Sequence, residues 1–182
     1  MNRASMRRTS LFLACLLAGC QQAASPGAAA PDRAGAAASG LERAAIATGA
    51  IADASRIAPV GLFQRRHEAG RDSLCVLPAK SGDYRFGLEA IFGTEQSCHG
   101  AGTARRAGDK LILSFSGGRK CIIVAQYDGD QVALPGVVDM ACDRLCDGRG
   151  NLEGVTFPRI ANDAGSALRA RDREDEPLCE AD

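Results

Sequence analysis

The stretch Lys110-Leu111-Ile112-Leu113-Ser114-Phe115-Ser116-Gly117-Gly118-Arg119-Lys120-Cys121-Ile122-Ile123-Val124-Ala125-Gln126-Tyr127-Asp128-Gly129-Asp130-Gln131-Val132-Ala133-Leu134 decides the fold. Leu111, Leu113 and Phe115 alternate with smaller or polar neighbours, the period of two that puts one set of side chains on one face of a strand. Ser116 to Arg119 offers a glycine-rich turn, and an apolar run returns from Cys121 to Tyr127. Asp128-Gly129 then suits a tight turn with positive φ, leading into residues 131–134. Residues 110–134 therefore read as a three-stranded meander.

The same signals extend outward. Tyr84, Phe86, Leu88, Ala90 and Phe92 alternate with Arg85, Gly87 and Glu89, a period of two that puts the large apolar residues on one face of a strand. Residues 60–66, 74–77 and 155–160 supply further short runs, and the neighbourhood of Cys98 another short strand. Residues 140–146 read as a helical turn closed by Gly148, with Cys142 and Cys146 on one face. Two thiols so placed can staple the turn to two strands at once. Residues 164–173 suggest a last helix. Residues 169–182 hold three basic and six acidic residues and read as a solvated tail, pinned only where Cys179 finds a partner. The fold class expected is mainly β: a small antiparallel barrel or sandwich of seven to eight strands, stapled by disulfides, with short helices near the termini.

Upstream of the β region the chain changes character. Residues 21–40 are Ala, Gly, Pro and Ser with almost no large apolar side chain, which cannot offset ordering entropy and so reads as a disordered tether. At the dimensions of a flexible chain its mean reach is about 25 Å. Alanine's helix propensity makes a weak helix the expectation for residues 41–58. The β domain is expected over residues 59–160, with a short helix and charged tail over 161–182.

Arg3, Arg7 and Arg8 precede an unbroken apolar run from Leu11 to Ala18. That run is far too short to span a bilayer as a helix, which takes roughly twenty residues, and has the outline of a signal peptide over residues 1–19. Leu17-Ala18-Gly19-Cys20 resembles the lipobox of bacterial lipoproteins. The resemblance implies that Met1 to Gly19 are removed, that Cys20 becomes the acylated N-terminus, and that the partner it meets is a membrane. Gln21 stands where inner-membrane retention would favour Asp, so the resemblance implies the outer membrane, facing the periplasm. Several acyl chains on one residue give stable anchoring where one would be marginal.

Of the 182 residues, removal of 1–19 leaves 163 and takes three arginines and no acid, so a balance of 22 basic and 22 acidic residues becomes 19 against 22. Without a basic field, and with no Trp among its few aromatics, the chain is not expected to bind nucleic acid. Eight cysteines less Cys15 and Cys20 leave Cys75, Cys98, Cys121, Cys142, Cys146 and Cys179. An even number in an exported chain reads as three disulfides, and six thiols allow fifteen pairings among which sequence does not choose. No metal site and no cofactor is expected, because neither His67 nor His99 stands at ligand spacing from the Cys142/Cys146 pair.

His67 and His99 are the imidazoles available for acid–base work, yet no Ser or Cys lies in a nucleophile motif, and both read as surface residues. Asp128, Asp130, Asp139, Asp143 and Asp147 are numerous but not visibly convergent, and Asp128 and Asp130 read as turn residues. A calcium-loop pattern over residues 143–154 fails at Leu145 and at Gly154, where the last ligand would stand. The glycines at 100, 102, 117 and 118 read as turn glycines, because none opens a helix after a strand.

Residues 60–134 resemble the periplasmic metalloprotease-inhibitor β-barrels, through Cys75 near the barrel's start, Cys98 after it, and Gly-Asp-x-Leu-x-Leu at Gly108 to Leu113; the tryptophans of that pattern are missing. The resemblance implies that an N-terminal segment, residues 41–60, would enter a protease cleft. The expected function is a non-catalytic binding or envelope-structural lipoprotein with a possible protein partner in the envelope. Inhibition of a protease or lysozyme, and hydrolysis by acidic residues, are the alternatives.

Overall fold

In the computed structural model, residues 33–51, 53, 56–117 and 120–180 are described. The described residues fall into two units that divide between Leu41 and Glu42. Eight strands close a barrel in sequence order: β1 (Gly61–His67), β2 (Gly70–Pro78), β3 (Tyr84–Gly93), β4 (Gln96–Ala107), β5 (Lys110–Phe115), β6 (Ile122–Tyr127), β7 (Gln131–Ala133) and β8 (Thr156–Ala161). Every neighbouring pair is antiparallel, including the closing pair β1–β8. The expected mainly β fold is present, as a barrel and not a sandwich.

An eight-stranded barrel has an interior just wide enough for side chains to fill. Here Phe63, Leu74, Val76, Phe86, Leu88, Leu111, Leu113, Ile123, Tyr127, Val132 and Phe157 do so, all buried. Phe86 and Phe115 meet edge to face with centroids 4.9 Å apart. The space they need comes from β4, whose inward positions include Gly100 and Gly102. A Cβ on Gly100 would lie 2.7 Å from the Phe115 ring, and one on Gly102 would lie 2.0 Å from the Ser114 carbonyl oxygen. That exchange of small for large is why β4, the longest strand at 12 residues, shows only a faint strand signal around Cys98.

Two details of β3 differ from simple alternation. The β3–β4 register shifts between Ile91 and Gly93, so Ile91 is buried and Phe92 is turned out. Gly87 and Glu89, on the face opposite the large apolar residues, are buried as well. The cover is the C-terminal segment, which is not a solvated tail. Helix α2 (Ala164–Leu168) is shorter than the expected 164–173, capped by the Asp163 side chain accepting from Ser166 N at 2.8 Å. Beyond it Asp172 accepts from the backbone N–H of Glu174 and Glu176, folding the chain into a turn. Leu178 N then donates to Ala170 O at 3.0 Å. The result is a second apolar cluster outside the barrel, in which Ala167, Ala170 and Cys179 pack on Leu62, Cys75 and Leu77.

All six cysteines expected to pair do so, as Cys75–Cys179, Cys98–Cys146 and Cys121–Cys142. Residues Met140–Leu145 form a 3₁₀ helix, with Asp139 accepting from Ala141 N. Its cysteines reach β4 through Cys98 and the start of β6 through Cys121, the double staple expected.

Helix α1 spans Arg33–Ala47, earlier than the helix expected over 41–58, so residues 33–40 are helical and not tether. Its alanines favour the helix. Thr48 Oγ1 turns back to Ala44 O and Ala45 O, and Gly49 at φ +73° ends it. The signal peptide, Cys20 and residues 21–32 of the tether lie outside the described residues.

The tail's cover depends on Gly87, where a Cβ would lie 1.7 Å from Leu178 O. Gly87→Ala should therefore destabilise the protein by about 1–3 kcal/mol, the usual range for overpacking. Urea unfolding measures it, and an unchanged midpoint would show that the tail does not need this contact.

Candidate functional site

At one end of the barrel, residues 57–60 cross the mouth before entering β1. The Tyr127 hydroxyl donates towards Ala58 O at 3.1 Å and Ile57 O at 3.3 Å, and accepts from Arg159 Nη2. Arg159 also donates from Nε to Gly129 O at 2.6 Å and from Nη1 to Val60 O at 2.8 Å. Arg106 Nη1 donates to Ile57 O at 2.6 Å. The Arg159 guanidinium lies 4.5 Å from the centroid of Phe63 and that of Arg106 lies 5.3 Å from Tyr127, so both cations are seated on aromatic faces. Burial pushes the Tyr127 phenol up from its ordinary range, and the Arg159 and Arg106 cations oppose it. Sequence gave no signal for this clasp, because its members come from β4, β6 and β8.

The other mouth is closed by the long β7–β8 connection. Leu152, Val155, Cys142 and Leu145 pack against the interior. Beside them lies the buried Asp72, 1% exposed, at the end of the inward row that contains Val76 and Leu74. Its carboxylate accepts from Arg65 Nη2 at 2.8 Å and Ile91 N at 2.9 Å, and meets His67 Nε2 at 3.0 Å. His67 thus belongs to a hydrogen-bonded lattice that satisfies a buried acid, not to a nucleophile pair.

His99 has a different setting. It shares a cleft of about 260 Å³ with Glu89, Ser97, Asp147, Asp172 and Glu174. Glu89 stands opposite His99 in the β3–β4 ladder, and Ser97 and His99 share the outer face of β4. Several carboxylates do converge here, a convergence invisible in sequence because the turn carrying Asp172 and Glu174 is brought over β3 by the tail. Glu89 is only 4% exposed, and its Oε1 accepts from Arg173 N at 3.3 Å. Burial pushes its carboxyl above the ordinary range; Asp172 and Glu174 push the same way, and the Arg173 N–H opposes them.

The remaining sequence candidates fall apart in space. Asp128 accepts from Asp130 N and Gln131 N and shapes the β6–β7 turn, as expected. Asp139 caps the 3₁₀ helix, whereas Asp143 is exposed on it. Cys75, Cys98, Cys121, Cys142, Cys146 and Cys179 are all oxidised, which leaves none of them as a thiolate. Among the described residues no group of three or more His, Cys, Asp or Glu is arranged to hold a metal ion. A further cleft of about 620 Å³ runs beside the tail, lined by Lys80, Arg85, Thr103, Ser116, Leu178 and Glu180.

No family model, curated protein or solved structure matches this chain. The architecture therefore stands on its own geometry: a filled barrel, closed at both mouths, with open clefts on its outer wall. Of the segment 41–60 expected to enter a protease cleft, residues 57–60 are held against the barrel, which leaves at most the residues before Ile57 for that role.

Glu89 binds its proton more tightly in the folded state than the ordinary value near 4.5. The folded state therefore carries no penalty for this group below that value, and loses stability as the pH rises through the higher folded value. Glu89→Gln should match the parent in thermal melts at pH 4 and exceed it increasingly towards neutral pH. Parallel melting profiles across that range would remove the assignment.

Proposed function

We propose that this chain is an exported lipoprotein, anchored through a lipid on Cys20 in the bacterial outer membrane and facing the periplasm, whose barrel is a non-catalytic binding or envelope-structural module. The observation that carries the reading is the closed interior. Side chains fill it, the residue 57–60 strap covers one mouth and the disulfide-stapled connection covers the other. A barrel of this kind has no chamber in which to hold a small substrate, and offers its outer wall and its N-terminal segment instead. Three disulfides suit an oxidising compartment, which accords with export.

Intact-mass measurement on protein purified from membranes tests the anchor. Residues 1–19 should be absent, Cys20 should carry acyl mass, and reduction should add six hydrogens for the three disulfides. An unmodified Cys20 would end the anchoring proposal.

A second reading, inhibition of a periplasmic protease, is favoured by one feature: the clasp on Ile57 and Ala58 fixes the point from which the preceding residues leave the barrel. On that reading the full chain inhibits a metalloprotease and deletion of residues 21–50 abolishes the inhibition while leaving the melting temperature within a few degrees. Equal inhibition by the two proteins, or none by the full chain across a metalloprotease panel, would dismiss it.

A further inference from the structure

On the outer face of β1 and β2, where α2 and the chain after it lie, a cleft of about 350 Å³ is lined by Gln64, Arg71, Ser166, Arg169, Arg171 and Asp175. Three of these are arginines. A fourth, Arg66, stands directly opposite Arg71 in the β1–β2 ladder. Like charges directly opposite each other on neighbouring strands repel, so the arrangement carries a cost in the absence of a counter-charge.

The structure supplies little counter-charge. Arg71 Nη2 donates to Arg171 O at 3.2 Å. Arg171 Nη1 donates to Leu168 O at 3.3 Å and Ala170 O at 3.2 Å, and Arg169 Nη2 donates to Ser166 Oγ at 3.2 Å. Every one of these acceptors is neutral. The ion pairs made by Arg65, His67, Lys110 and Arg173 include none of the four arginines here. Asp175 stands on the cleft wall, and Asp163, whose carboxylate is occupied in capping α2, feels Arg169. The neutral acceptors hold the arginines in place without quenching them, which leaves their other N–H groups for a ligand.

We propose that this cleft is a binding site for a phosphate-type oxyanion, with Arg71, Arg169 and Arg171 as its donors and Arg66 adding to the field. Guanidinium forks match the paired oxygens of such a group, and arginine recognises it with a geometry that lysine lacks. The cleft has room for inorganic phosphate and for a phosphate carried on a larger body. The proposal gives the binding-module reading a ligand class, and it does not depend on the anchor at Cys20; loss of either leaves the other standing.

The test titrates the full, disulfide-intact chain with inorganic phosphate by calorimetry at low ionic strength. Saturable binding with Kd of about 1 mM or tighter is expected, weakening as sodium chloride is added. Arg71→Gln combined with Arg171→Gln should weaken it about tenfold or more, and Arg169→Gln, which loses one exposed bond, should weaken it without perturbing the fold. Arg105→Gln, exposed on β4, is the control and should bind as the parent does. A parallel arm sediments the protein with phosphatidylcholine vesicles with and without phosphatidic acid. Vesicle binding that the same variants abolish identifies a lipid headgroup as the source, and phosphate binding without vesicle binding identifies a soluble phosphate. Absence of saturable binding in both arms, or binding equal in parent and Arg169→Gln, overturns the proposal.

Discussion

The rest of this structure depends on the narrow interior of an eight-stranded closed sheet. Such a barrel has room for one filling of side chains, so each bulky residue must be matched by a missing one. Phe86 and Phe115 meet edge to face across β4, where Gly102 stands between them in the ladder and Gly100 leaves room for the Phe115 ring. Once the interior is full, everything else must happen at the mouths or on the wall. The strap at Ile57 and Ala58, the cap around Cys142 and Leu152, and the clefts flanking the tail all follow from that one limit.

The second organising choice is electrostatic. The whole chain has no net charge, yet its charges are not evenly mixed. Asp72 is buried with Arg65 and His67 around it, a paired lattice that closes a mouth. Glu89 is buried beside further acids, and the outer face of β1 and β2 collects arginines. Removing charge from water without full compensation costs stability, so the last two arrangements are not what stability alone would select. The clasp at Tyr127 shows the alternative: its two guanidinium groups are spread over carbonyls and aromatic faces and hold chain in place.

The barrel was largely legible in the sequence, because alternation in residues 84–92 and 110–134 and the Asp128-Gly129 turn are local signals with a period to read. The 3₁₀ helix with Cys142 and Cys146 on one side was legible for the same reason. What failed depends on distant contacts. The strand around Cys98 is disguised by glycines whose reason is Phe115, and the outward row of β3 is buried because the tail, rich in charge, returns over it. The clefts share that character. Arg71 and Arg171 stand far apart in sequence, and Glu89 meets Asp172 and Glu174 only after the tail has docked, so no spacing rule could have joined them.

The disulfide pattern has a consequence for how the chain must mature. Cys121–Cys142 lies within the span of Cys98–Cys146, which lies within the span of Cys75–Cys179, so the three bridges are nested like brackets. A chain that emerges N-terminus first presents Cys75 and Cys98 together, and these two are not partners. Cys75 must stay unpaired, or be released from a wrong partner by thiol exchange, until Cys179 arrives 104 residues later. Oxidation in order of appearance would trap the barrel half made. Completing this protein therefore requires either that Cys75 be kept reduced until the tail arrives or that wrong bridges be reshuffled.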